Sequence, residues 1–79
     1  IQGAWGNDEI GNAKFAFYSD SIYYPDPDLW YKYKIVNDTI FIQKEDNFIE
    51  KILILQLNKD SLKLNYINYQ SIESYERRK

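Results

Sequence analysis

The groups in this chain that could do chemistry are carboxylates, hydroxyls and phenols. Carboxylates fall in close pairs at Asp8/Glu9, Asp26/Asp28 and Glu45/Asp46. Paired carboxylates can divide acid and base roles in glycoside hydrolysis, or hold calcium. Here each pair stands among turn-forming residues, where it reads as a turn-former or a solvating charge. The stretch "DPDL" at 26–29 lacks the further oxygen ligands and the glycine of a calcium loop. Ser19, Ser21, Thr39, Ser61, Ser71 and Ser74 offer hydroxyls, but the chain has no histidine to activate one. It has no cysteine either, which removes a thiolate nucleophile and a zinc-thiolate site. Three isolated glycines make no phosphate-binding loop. The expectation is a protein that is not an enzyme and carries no cofactor or metal.

Phenols and rings are what the sequence offers in quantity: eight tyrosines, four phenylalanines and two tryptophans in 79 residues. A chain this short forms one domain, 1–79, and without disulfides must stabilise itself through core packing. Net charge is −2, with a sequence pI near 5.0, so no strong field gathers nucleic acid. The basic run Arg77 to Lys79 reads as a solubilising tail. Lys32 and Lys34 interleave with aromatics, a pattern that can stack on single strands, but flanking acids and the negative total argue against it. The longest apolar run, "ILILQL" at 52–57, has strand length and falls well below the roughly 18 residues of a membrane-spanning helix. No signal peptide is present, and the start at Ile1 without a methionine reads as processing or trimming.

The elements that must position these rings follow from a motif used three times. "YSDSIYY" at 18–24, "VNDTIFI" at 36–42 and "NKDSLKL" at 58–64 each place Asp before Ser or Thr, then apolar residues at alternate positions. Asp, Asn and Ser favour tight turns, and the residues after them suit a pleated strand. Asp20, Asp38 and Asp60 therefore mark hairpin tips. "PDPD" at 25–28, "KEDN" at 44–47 and "NYQS" at 68–71 break the apolar runs between them. Strands are predicted at 2–6, 13–19, 21–25, 29–37, 39–44, 48–58, 61–67 and 71–77, with 7–12 as a glycine-containing connection. Such a meander should close on itself, because closure removes exposed edges. The predicted fold is all-β: a small antiparallel up-and-down meander of about eight strands, closed into a barrel.

Alternation assigns faces. Phe15 and Phe17 share one, Lys14, Ala16 and Tyr18 the other. Leu29, Tyr31, Tyr33 and Ile35 point inward against Trp30, Lys32, Lys34 and Val36. Ile40, Ile42, Leu62, Leu64, Tyr66 and Tyr75 also point inward. Leu53, Leu55 and Leu57 oppose Ile52 and Ile54 on a strand apolar on both faces, which calls for an outer cover by a loop or a partner chain.

Closure brings the first strand, with Gly3 and Trp5, beside the last, with Tyr75 and Arg77. An arginine across that indole gives a cation–π stack that plugs one end. In order along the chain, the Gly-x-Trp, the Phe-x-Phe strand, the repeated Asp-Ser/Thr hairpins and the terminal Tyr-x-Arg resemble the lipocalin-like pattern. The match is to short bacterial lipocalin-like domains, which occur in secreted or lipid-anchored proteins. The resemblance implies a secreted, periplasmic or cell-surface setting and a ligand-binding role. The chain lacks the length for the long mouth loops and flanking helix of a full lipocalin.

Two functions follow. The first is a non-enzymatic lipocalin-like domain holding a small apolar or aromatic molecule at the barrel mouth, opposite Trp5, where tyrosine hydroxyls supply polar contacts. The second is a protein- or carbohydrate-interaction module of inhibitor type, with a packed core and an exposed aromatic surface around Tyr23–Trp30. Candidate contacts are Tyr23, Tyr24, Trp30, Tyr31, Tyr33 and Tyr66; Trp5 and Arg77 are structural. The inward list is rich in aromatics and poor in small residues, which favours a filled lumen.

Overall fold

The structure, a computed structural model, describes residues 1–7, 11–45 and 47–78. Asp8, Glu9 and Asp46 of the carboxylate pairs lie outside the described residues, as do Ile10 and Lys79. Eight strands follow one another: β1 (Gly3–Gly6), β2 (Phe15–Phe17), β3 (Ser21–Tyr24), β4 (Leu29–Val36), β5 (Thr39–Gln43), β6 (Ile49–Leu57), β7 (Ser61–Tyr66) and β8 (Ser71–Arg78). Each pairs antiparallel with the next, and β1 pairs with β8, so the sheet closes into an up-and-down barrel. A 3-10 turn at Ile67–Tyr69 links β7 to β8. β2 is shorter than predicted and begins at Phe15, although the Lys14 amide still donates to the Trp5 carbonyl at 2.7 Å.

The repeated Asp motif makes three two-residue hairpins by different means. Asn37 and Asp38 have φ of 51° and 64°, the left-handed pair of a type I′ turn, whose twist suits the strands it joins. At Lys59–Asp60, Asn58 Oδ1 accepts from the amides of Asp60 and Ser61 and from the Ser61 hydroxyl. At Ser19–Asp20 the Tyr18 amide donates to the Ser21 carbonyl at 2.8 Å. All three tips gather at the end where β8 finishes, and the Arg77 amide donates to the Asp60 carbonyl there.

The lumen holds Trp5, Phe15, Phe17, Ile22, Ile40, Ile42, Ile52, Leu62, Leu64 and Tyr75, with Tyr24, Tyr31, Tyr33, Ile54 and Tyr66 packed against them. Rings meet edge to face along it: Phe15 with Tyr75 at 4.8 Å, Phe17 with Tyr33 at 5.0 Å and Phe15 with Phe17 at 5.5 Å between centroids. One face assignment changes. Leu57 does not share the outer face of Leu53. A register shift between Ile54 and Gln56 makes Leu55 an extra residue and pairs Leu57 with Leu62, and directly opposed residues share a face. Leu29 and Ile35 take the inner face by register, opposite Tyr24 and Ile40, yet are exposed because they stand at the barrel rims. The outer face of β6 is not covered throughout: Leu53 is half-buried, but Leu55 is 47% exposed.

Candidate functional site

The tyrosines and tryptophans singled out in the sequence, Tyr33 apart, go to three places. The first is structural. Trp5 is fully buried, and its indole nitrogen donates to the Ile1 carbonyl at 2.9 Å. The Arg77 guanidinium lies 4.3 Å over the ring and also donates to the carbonyls of Gln2 and Lys59. Gly3 explains the Gly-x-Trp spacing. Its φ is +119°, and a Cβ there would run into the Arg77 guanidinium.

The second place is the mouth opposite Trp5. Tyr24, Tyr31 and Tyr66 converge there with two groups the sequence reading did not single out, Lys44 and Glu50. Glu50 is 4% exposed, and Lys44 Nζ meets its carboxylate at 3.3 Å. The same ammonium lies 4.6 Å from the Tyr24 ring centroid and 4.5 Å from that of Tyr31. Tyr66 and Tyr75 share a hydroxyl–hydroxyl hydrogen bond of 2.5 Å. Burial pushes the phenols of Tyr24, Tyr66 and Tyr75 above the ordinary tyrosine value, with the Glu50 charge adding to each. Alternation carried the signal for both missed residues: Lys44 has the parity of Ile40 and Ile42, and Glu50 that of Ile52 and Ile54.

The third place is outside. Tyr23 on β3 is paired directly opposite Trp30 on β4, with ring centroids 4.6 Å apart. Tyr18, just past β2, also packs on Trp30, at 5.2 Å. Trp30 nevertheless remains 57% exposed and Tyr18 49%. Tyr23 faces out and Tyr24 in. Tyr33 joins neither group; its ring packs on Phe17 and its hydroxyl donates to the Tyr18 carbonyl, fixing the base of the outer cluster. Burial raises the Tyr33 phenol as well.

Polar groups fringe the outer rings. The Tyr23 hydroxyl donates to Asp28 Oδ1 at 2.7 Å, and that bond holds the phenol above its usual range. Lys32 Nζ pairs with Asp20 at 3.2 Å, and the Ser21 hydroxyl donates to the same carboxylate. The Ser21 bond, then Lys32, hold Asp20 below the usual carboxylate range. Asp26 and Asp28, weighed above as a catalytic or calcium pair, sit in the turn after Tyr24, where the Asp28 amide donates to the Tyr24 carbonyl. Among the described residues no cluster of His, Cys, Asp and Glu could hold a metal ion, and no helix is long and apolar enough to cross a membrane. Comparison with family models, curated proteins and solved structures returns no match, and the three clusters above are what bears on function.

Proposed function

We propose that this is a non-enzymatic, lipocalin-like binding domain that works through its outer surface, with Trp30, Tyr23 and Tyr18 as the platform for a carbohydrate ring. The observation that carries the reading is that Trp30 is held by two neighbouring rings while more than half of it faces solvent. A ring already fixed in place gives up little side-chain entropy when a flat partner lands on it. The charges beside it favour a hydroxyl-rich ligand over a protein. Protein interface centres are depleted in Lys and Asp, whereas Lys32, Asp20 and Asp28 flank these rings and can donate to or accept from hydroxyls. Edge-to-face ring contacts in the lumen, and the Lys44–Glu50 ion pair at its mouth, weigh against an apolar molecule held inside. The Trp5–Arg77 stack and the closed meander support the lipocalin-like assignment, which brings an extracytoplasmic setting with it.

The test is affinity electrophoresis through gels containing soluble neutral polysaccharides, comparing wild type with Trp30→Ala. Retardation of the wild type, lost in the variant by at least tenfold in affinity with an unchanged melting temperature, is the expected result. A melting temperature that collapses in Trp30→Ala makes the ring a structural element, and binding indifferent to the substitution removes the platform.

A further inference from the structure

The chain is acidic overall, yet one side of the barrel is not. Alternation and register place Trp30, Lys32, Lys34 and Val36 outward on β4, Thr39, Phe41 and Gln43 on β5, Ile49, Lys51 and Leu53 on β6, and Lys63 and Asn65 on β7. These outer positions carry four lysines and no carboxylate, although the chain holds 12 acidic residues against 10 basic ones. The described acids lie in turns, on the inner face, or on β8. One cross-strand row has a particular order: Phe41 is paired with Lys34 on one side and Lys51 on the other. Strands lie about 4.8 Å apart, so the two lysine backbones straddle the ring across about 10 Å. A groove lined by Lys32, Tyr33, Lys34, Phe41, Gln43 and Ile49 runs beside this row. Along β4 it leads back to Trp30, about 13 Å from Lys34 at the rise of a strand.

We infer that the ligand of this surface is an anionic polysaccharide, with carboxylate or sulfate groups read by Lys34 and Lys51 while sugar faces stack on Trp30 and Phe41. This rests on the carbohydrate reading above and names the class of chain it takes. Charge complementarity carries it. Opposite charges attract only weakly at an exposed site, but several lysines on one face, with Lys32 the one paired to an acid among the described residues, act together on a polyanion. Lys32 is partly spent on Asp20, which leaves Lys34 and Lys51 as the central pair. A half-buried ring between two lysines beside a groove suits a chain laid along it, with Lys34 and Lys51 on either side of the sugar face.

The probes are two matched pairs: polygalacturonate against its fully methyl-esterified form, and dextran sulfate against dextran. In 10 mM salt, wild type binds at least one acidic polymer tenfold or more tighter than its neutral counterpart. The gap closes as salt approaches 0.15 M and the Debye length falls from about 30 Å to about 8 Å. Lys34→Gln/Lys51→Gln removes the gap but keeps the affinity for the neutral form, with an unchanged circular dichroism spectrum. Trp30→Ala lowers affinity for both members of a pair. Equal binding to acidic and neutral polymers overturns the anionic inference and leaves the carbohydrate reading standing. No binding to any of the four overturns both. Binding to phosphatidylserine vesicles as tight as to the acidic polymers, and indifferent to Phe41→Ala, also overturns it in favour of a bilayer.

Discussion

Trp5 and Trp30 are the same side chain put to opposite uses, and the difference lies in which face of a strand each occupies. Trp5 is sealed under Arg77, whereas Trp30 leans on two rings with its remaining surface in water. Acrylamide should therefore quench the fluorescence of Trp30 and spare Trp5, so that Trp30→Phe leaves a spectrum that is blue-shifted and nearly unquenched. Trp5→Ala removes a fully buried indole and should cost about 3–5 kcal/mol in chemical denaturation, a large share of what so small a domain has. Glu50 and Lys44 are unequal partners, since the carboxylate is buried and the ammonium can still reach water. Lys44→Met should cost about 3–5 kcal/mol by stranding a buried charge. Glu50→Gln should cost clearly less, because Lys44 can turn outward. Equal losses in the two variants would refute this asymmetry.

At the scale of elements, the three Asp hairpins share a composition and not a conformation. Only the β4–β5 link has two consecutive left-handed residues, Asn37 and Asp38. A β-branched side chain is strained there, so Asp38→Val should lower stability by about 1–2 kcal/mol. The same substitution at Asp20, whose φ is not positive, should cost less by thermal denaturation. β6 is the other informative element. Its extra residue at Leu55 turns Leu57 back toward Leu62 and leaves Leu55 itself outside. That device returns Leu57 to the inner face at the rim of the barrel, where it remains exposed.

For the whole molecule, closure converts edge strands into paired ones and sets a ring-filled axis between two differently sealed ends. One is plugged by indole and guanidinium, the other by tyrosines around an ion pair. The second end makes the barrel sensitive to alkali. Burial raises Tyr24, Tyr66 and Tyr75 above the phenol value of about 10 found in an unfolded chain. A raised folded value means that this contribution is fully present below pH 10 and is lost as pH climbs above it. Stability should hold to about pH 10 and then fall. The slow phase of tyrosinate absorbance at 295 nm should coincide with loss of the β-sheet signal. Early titration of all eight tyrosines on a folded barrel would contradict it.

Local pattern was enough for a good deal. Strand positions, the Asp turns and the inward set Phe15, Phe17, Ile40, Ile42, Leu62 and Leu64 are written in a two-residue alternation that each strand carries by itself. The pairing of Trp5 with Arg77 follows once the meander closes. Tertiary structure alone decided what depends on register between strands. Tyr18 reaches Trp30, Lys44 meets Glu50, and Lys34 and Lys51 flank Phe41 because hydrogen-bonded ladders align residues far apart in the chain. The shift at Leu55 belongs to the same class. A strand's alternation records which face a residue takes; only the cross-strand ladder determines which residue stands opposite it.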